Sequence, residues 1–249
     1  MLALGLSLAA QQLVRATAVQ PIGSGTAWGL HRYDIAGMVA HGAPLPDLPG
    51  LSATEAAPLR EGLAQYYSPT RVDTLAGWPD WRNFMSGGEA TRTWWAMLRA
   101  SPLAWLQHRA AVFRWMLLPP DVRQCLPVHL GVEGPPAALA TLGLVAGTRP
   151  QDQAMYAYAQ TWFGTPLFLN LSWLAAAALL FAVLLRRRCR APGDIALAGL
   201  LLAAFGFTAS FAVIGLACDV RYLFMLPAAV CAALAHLSRP TAEATHAGD

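Results

Sequence analysis

Three long apolar segments lie in the last third of the chain. They cover residues 162–185, 195–217 and 222–237, and few polar side chains interrupt them. About 20 consecutive apolar residues form a helix that is long enough to cross the hydrocarbon core of a bilayer. We therefore predict three transmembrane helices within residues 161–238, the second of them with Asp194 as its N-cap.

A further apolar stretch opens the chain and carries Gln11, Gln12 and Arg15 towards its end. A secretory signal peptide has its positive charge before the apolar stretch and a small-residue cleavage site after it. In this chain the positive charge follows the apolar residues. We therefore predict a transmembrane helix, complete or partial, over residues 1–19.

A cluster of arginines fixes the expected orientation in the membrane. Arg186, Arg187, Arg188 and Arg190 follow the first of the three apolar segments. Short loops rich in arginine stay in the cytoplasm. The same orientation puts residues 20–160 on the outer side and the polar tail 239–249 in the cytoplasm, and a crossing at residues 1–19 agrees with it.

The region between the first and second predicted spans has the pattern of a helical domain. We predict helices over residues 54–67 and 89–99, and a third that begins at Ser101 and Pro102. No segment shows the two-residue alternation of a strand. The predicted fold is therefore an all-α polytopic membrane protein with about four transmembrane helices and an extracytoplasmic helical domain over residues 20–160.

The third of these helices has an apolar stripe, and the two prolines that follow it should end it. The stripe has the spacing of one face of a helix. It consists of Leu103, Leu106, Ala110, Phe113 and Leu117.

Composition agrees with a membrane protein. Charged residues make up 12% of the chain, whereas soluble domains carry about 25%. The net charge is +3, and no basic block is interleaved with aromatic residues, so nucleic acid is not an expected partner.

The four cysteines match no zinc or redox spacing and no disulfide framework. Cys125 and Cys218 nevertheless both fall on the predicted outer side, where a disulfide between them is stable. His41, His108 and His129 lack the spacing of metal ligands. We expect no metal and no cofactor.

Two carboxylates have a functional and a structural interpretation. Asp34 lies just after the first predicted span and could act as a general base or metal ligand, or it could cap a helix or pair with Arg32. Asp219 and Arg221 lie at the outer mouth of two predicted spans. Arg221 could bind a lipid phosphate, or the two residues could form an ion pair that closes the turn.

Tryptophans and arginines are concentrated in the second and third predicted helices. They could place a helix in the plane of the membrane interface, or the rings could form the core of the outer domain. The residues are Trp94, Trp95, Trp105 and Trp115, with Arg99, Arg109 and Arg114.

The segment Cys218-Asp219-Val220-Arg221-Tyr222-Leu223 resembles the closing segment of bacterial GT-C-like glycosyltransferases of the family 39 and lipid-linked-sugar type, which often ends with Asp-x-Arg-Tyr. Residues 33–37 and 101–109 resemble their extracytoplasmic region, and the likeness extends over about residues 33–237. Such enzymes carry their catalytic acid in an outer loop near the N-terminus. This chain begins after that loop, so the resemblance implies a C-terminal part and transfers no catalytic residue.

The resemblance implies a C-terminal module of a transferase that uses polyprenyl-phosphate-linked sugars at the outer face of the bacterial inner membrane. Arg221 would contact the lipid phosphate. The module would be inactive alone and would need a missing N-terminal part or a partner subunit. The alternative is a non-catalytic inner-membrane protein that binds a partner or lipid through its outer domain. A transporter is less favoured, because no paired repeats or broken helices are seen.

Overall fold

The computed structural model describes residues 25–46, 53–82, 84–85, 87–186 and 191–238. These residues form helices and turns, with isolated β-bridges but no strand, which confirms the all-α prediction for this part of the chain. The predicted span at residues 1–19, three arginines of the cluster and the tail 239–249 lie outside the described residues.

The chain divides into two compact units. Unit 1 comprises Met1–Tyr67 and Asp73–His108, and unit 2 comprises Ser68–Val72 and Arg109–Asp249. The helix Pro102–Leu117 belongs to unit 1 as far as His108 and to unit 2 from Arg109. Each unit is described separately below.

Unit 1 is built around one buried helix. The described helices of this unit are α1 Gly25–Ala40, α2 Ala53–Tyr66, α3 Gly87–Ala100 and the first half of α4 Pro102–Leu117, with 3-10 turns at Val72–Gly77 and Pro79–Arg82. Helix α1 packs against α2 and α3. Every residue from Arg32 to Val39 is buried. Helices α2, α3 and α4 confirm three sequence predictions, whereas α1 was not predicted.

The buried face of α4 is not the apolar stripe. Leu103 and Leu106 are 65% and 55% exposed. Buried positions recur at intervals of four residues, at Ala104, His108, Val112 and Met116, and Arg109 is buried beside them. The helix buries the polar side chain of His108 rather than the leucines. This histidine can be buried because it has hydrogen-bonding partners inside unit 1.

Unit 2 contains the apolar helices. Its described helices are α5 Pro136–Thr141, α6 Pro150–Gln160, α7 Asn170–Arg186, α8 Pro192–Ile214 and α9 Met225–Leu237, with 3-10 turns at Val122–Cys125, Pro166–Phe168 and Val220–Leu223. Helices α7, α8 and α9 enclose a core that includes Leu184, Leu201 and Leu226. Leu179 and Leu202 point outward and are 67% and 60% exposed. Helices that are apolar on all sides are typical of a membrane environment.

Two helical segments in the described part of the chain are long and apolar enough to cross a membrane, Pro192–Ile214 and Val220–Leu237. The first of the three predicted spans begins too early, because helix α7 starts only at Asn170 and has 17 residues. Asn170 is 3% exposed, and its Nδ2 donates a 2.8 Å hydrogen bond to the carbonyl of Met116. This buried bond fixes the start of α7. The four-span topology remains a prediction.

The start of α8 also differs by a few residues from the prediction. The helix begins at Pro192, so Ala191 is the N-cap and Asp194 is the third helical residue. The Asp194 carboxylate accepts from the backbone N–H of Ala191 at 3.4 Å and lies 2.8 Å from Nε2 of His236. Asp194 therefore links the first turn of α8 to the last turn of α9.

Candidate functional site

Asp34 lies inside α1 and is 1% exposed. Its Oδ2 accepts hydrogen bonds from the indole N–H groups of Trp94 at 2.7 Å and Trp105 at 2.9 Å. Its Oδ1 lies 2.9 Å from Nε2 of His108. Because Asp34 is in the body of the helix, the capping interpretation is wrong. Trp94 and Trp105 thus bind a buried carboxylate, which supports the interpretation of these two rings as core, whereas Trp95 is 48% exposed.

His108 connects Asp34 to a tyrosine near the surface. The imidazole is fully buried, and its Nδ1 lies 2.8 Å from the hydroxyl of Tyr67. With a proton on Nε2, His108 donates to Asp34 and Nδ1 accepts from the Tyr67 hydroxyl. The half-buried Tyr67 is then the outer end of a Tyr67–His108–Asp34 chain. An imidazole that a carboxylate holds in one tautomer is an arrangement suited to proton transfer.

Gly37 on α1 leaves room for the His108 ring beside the helix. A Cβ atom placed on Gly37 would lie 2.0 Å from Nδ1 of His108. The imidazole therefore packs directly on the backbone of α1. The ring of Tyr33 covers another side of His108, with its centroid 5.0 Å away in an edge-on geometry.

Arg32, on the same helix, is buried among aromatic rings. It is 3% exposed, and its guanidinium carbon lies 4.1 Å from the centroid of Trp81 and 5.1 Å from that of Trp28. Its Nε and Nη2 have no hydrogen-bond partner. Desolvation by burial lowers the pKa of Arg32. Cation–π attraction to the rings offsets part of this desolvation.

The same three-residue turn occurs twice in unit 2. Asp121-Val122-Arg123 and Asp219-Val220-Arg221 each open a 3-10 turn with the aspartate as N-cap. In each turn the carboxylate accepts from the arginine backbone N–H and from its Nε. The Nε–O distances are 2.9 Å for Arg123 and 2.6 Å for Arg221. The ion pair between Asp219 and Arg221 that the sequence suggested is present.

The two turns differ in exposure. The side chain of Asp219 is 4% exposed and that of Asp121 is 36% exposed, whereas both arginine side chains are more than half exposed. The side-chain hydrogen bond from Arg123 lowers the pKa of Asp121. Each carboxylate orients a guanidinium that faces solvent.

A disulfide joins the two turns. Cys125 ends the first turn and Cys218 precedes the second, and their Cα atoms are 5.0 Å apart. The backbone N–H of Cys218 also donates to the carbonyl of Thr70 at 2.8 Å. The neighbouring Arg71 donates from Nη2 to the carbonyl of Gln124. The disulfide expected from the predicted topology is therefore present.

Two of the three histidines considered as metal ligands, His41 and His108, belong to unit 1, where both lie beside Tyr67. His129 belongs to unit 2. No group of three or more His, Cys, Asp or Glu residues with the placement of a metal site occurs within the ranges that the structure describes.

Sequence reasoning identified Asp34 but none of its partners. Trp94, Trp105 and His108 lie 60, 71 and 74 residues further along the chain, a separation that no short motif records. The chain matches no protein-family model, no curated protein and no solved structure in the comparisons made.

Proposed function

We propose that this chain is a membrane module of a GT-C-like glycosyltransferase-related protein, and that Arg221 binds the phosphate of a polyprenyl-phosphate-linked sugar at the outer face of the bacterial inner membrane. The observation that carries the proposal is the state of Arg221. Its side chain is 61% exposed while Asp219 holds its Nε at 2.6 Å. A guanidinium has five N–H donors in a fork that matches phosphate oxygens. The fork is oriented before the ligand arrives.

The position of Arg221 in the chain supports a lipid ligand. It follows α8, the longest apolar helix of the described residues, and lies in the 3-10 turn that leads into α9. A phosphate attached to a membrane lipid lies at the level of such a helix end. The resemblance of the Asp-Val-Arg-Tyr segment to the GT-C closing segment agrees with this role.

Two features support the outer side for this turn. The Cys125–Cys218 disulfide lies next to it, and disulfides persist in the periplasm but not in the reducing cytosol. Arg186 ends α7, and the arginines after it come before α8, whereas the Asp219 turn comes after α8. Such an arginine-rich loop at the other end of α8 is expected in the cytoplasm. The two features use different physical principles and favour the same orientation.

A second candidate function is a non-catalytic protein that binds a partner or lipid through its outer domain. The observation that favours it is the exposure of Leu103 and Leu106 on α4, at 65% and 55%. Such residues one turn apart form an apolar patch that a partner would cover.

The proposal is tested by measuring the affinity of the full chain, in neutral detergent micelles, for a fluorescent short-chain polyprenyl-phosphate hexose. We expect Arg221→Ala to weaken binding by about tenfold or more, since charge-assisted hydrogen bonds to phosphate are the strong ones. Asp219→Asn, which keeps the guanidinium but loosens its orientation, should have a smaller effect.

The matched control is Arg149→Ala, because Arg149 is an exposed arginine of the same unit. It should bind as the unmodified chain does. Equal affinity of the Arg221→Ala variant and the unmodified chain would remove the phosphate role of Arg221. Binding that depends instead on Leu103 and Leu106 would favour the second candidate.

A further inference from the structure

A cleft of about 360 Å³ lies in unit 2 beside the first Asp-Val-Arg turn. Its walls come from the two prolines after α4, from the turn itself and from the segment between the end of α6 and α7. They combine one ion pair with apolar and aromatic side chains. The residues that matter here are Pro119, Asp121, Arg123, Phe163 and Leu169.

The polar wall of this cleft presents an oriented cation. Oδ1 of Asp121 accepts from Nε of Arg123 at 2.9 Å and from its backbone N–H at 3.1 Å. The Arg123 side chain is 67% exposed. Asp121 engages Nε, and a guanidinium has four further N–H donors that can bind oxygens. The carboxylate therefore orients the fork.

A second positive charge reaches the same turn. Arg71 donates from its guanidinium to the carbonyl of Gln124, which directly follows Arg123. Within the cleft lining the cation is Arg123. Its guanidinium favours an anionic ligand, since Arg binds phosphate and carboxylate oxygens in pairs of hydrogen bonds.

The other part of the lining is mainly apolar and leads into α7. Phe163 packs edge-on against Phe168, with ring centroids 5.0 Å apart, and Leu169 directly precedes α7. Leu171 and Leu179, further along that helix, are 37% and 67% exposed. An apolar surface thus begins in the cleft and continues along the outside of α7. A ligand with an anionic head and a hydrocarbon tail matches both walls.

We propose that this cleft binds the anionic phosphate headgroup of a membrane lipid, with Arg123 as the cation and the lipid tail along Phe163, Leu169 and α7. This site is separate from Arg221. It rests on the proposed function only in treating α7 as a helix that contacts the bilayer.

The test is residue-specific protection from phenylglyoxal, which modifies accessible guanidinium groups. The full chain in neutral detergent micelles is treated alone, with short-chain phosphatidic acid, with short-chain phosphatidylcholine, or with inorganic phosphate. Mass spectrometry of the peptides reads the modification rates of Arg123, Arg221 and Arg149 in the same sample. Arg149 is the exposed control.

We expect phosphatidic acid to slow modification of Arg123 by about tenfold, the change that one strong phosphate contact produces. Arg149 should change by less than twofold. The same concentration of inorganic phosphate or phosphatidylcholine should leave Arg123 reactive. Leu169→Gln should reduce the protection by phosphatidic acid several-fold, and non-reducing electrophoresis checks that the Cys125–Cys218 bond still forms in this variant.

Four results would overturn the proposal: no protection of Arg123, equal protection by inorganic phosphate, equal protection of Arg149, or full protection in Leu169→Gln. The second would identify free phosphate, rather than a lipid, as the ligand. The modification rate of Arg221 is measured separately from that of Arg123. The proposal for Arg123 can therefore fail while the phosphate role of Arg221 stands, and the phosphate role of Arg221 can fail while the proposal for Arg123 stands.

Discussion

The imidazole of His108 occupies the space that a side chain at position 37 would need. A Cβ on Gly37 would lie 2.0 Å from Nδ1 and 2.3 Å from Cγ of this buried ring. A helical glycine usually weakens its helix, yet here it permits the closest approach of α1 to the residue that links Tyr67 to Asp34.

Gly37→Ala should therefore destabilise the protein although alanine is the better helix former. Forcing an extra carbon into a packed core costs about 1–3 kcal/mol. Gly29→Ala is the matched control on the same helix, because a Cβ on Gly29 meets nothing within 4 Å. It should stabilise by about 0.5–1 kcal/mol. Thermal unfolding of the two variants in the same detergent measures both changes, and equal effects would contradict the close packing.

Asp34→Ala should be among the most damaging single substitutions in unit 1. It leaves two indole N–H groups and one imidazole nitrogen without their shared acceptor, and each buried donor left unsatisfied costs about 1–3 kcal/mol. Glu61→Ala, which changes an exposed carboxylate on α2, should stay within about 0.5 kcal/mol. Denaturant unfolding followed by tryptophan fluorescence compares the two variants. A small loss in Asp34→Ala would show that the hydrogen bonds of Asp34 contribute little to stability.

Arg32 offers a test of a buried cation. Two of its nitrogen atoms have no hydrogen-bond partner, so Arg32→Met removes a desolvated charge and keeps an apolar chain between the rings. We expect Arg32→Met to be neutral or stabilising, as similar replacements of buried charges often are. Arg32→Lys should destabilise, because an ammonium cannot stack on Trp81 as a planar guanidinium does. The unfolding midpoints of the two variants and the unmodified chain test these expectations. A large loss of stability in Arg32→Met would contradict them and would indicate that Arg32 binds an anion.

The disulfide should contribute substantially to the stability of unit 2. It closes a sequence separation of 93 residues, and removing a native disulfide costs about 2–5 kcal/mol. Cys125→Ser should lower the unfolding temperature, whereas Cys231→Ser, which changes an exposed free cysteine, should not. A reducing agent should affect the unmodified chain and leave Cys125→Ser unchanged. An unmodified chain that is insensitive to reduction would refute the contribution.

We expect the stability of unit 1 to depend on pH through His41. Desolvation lowers the pKa of His41 from its ordinary value of 6.5. Below that pH the unfolded chain takes up a proton that the folded state resists, so stability falls as the pH is lowered through this range. His41→Gln should reduce the slope of stability against pH between about pH 6.5 and 5. Unfolding free energies measured at several pH values test this, and an unchanged slope would exclude His41 as a source.

The parts of the fold that the sequence predicted correctly carry local signals. Helix α4 begins at the predicted Pro102, and α2 and α3 lie within a few residues of their predicted bounds. Helix α1 has no such signal, because a helix that is buried from Arg32 to Val39 has no polar face to reveal its period.

The contacts of the candidate sites also divide into local ones, which the sequence predicted, and long-range ones, which it did not. The pairing of Asp219 with Arg221 spans two residues and could be anticipated from the sequence. The surroundings of Asp34 depend on helices far apart in the chain, and the leucines of α4 indicated a face that tertiary packing leaves exposed. Contacts between residues close in the sequence could be predicted from it, whereas hydrogen bonds between distant residues could not.

The Cys125–Cys218 bond also bears on the order of assembly. The two cysteines flank the whole stretch that contains α7 and α8. In the proposed topology Cys218 reaches the oxidising side only after the chain has entered and returned across the bilayer. The bond can then close only on correctly inserted chains. The disulfide would thus form covalently only after the α7–α8 hairpin is complete. A chain cut between α7 and α8 would remain one molecule until the disulfide is reduced.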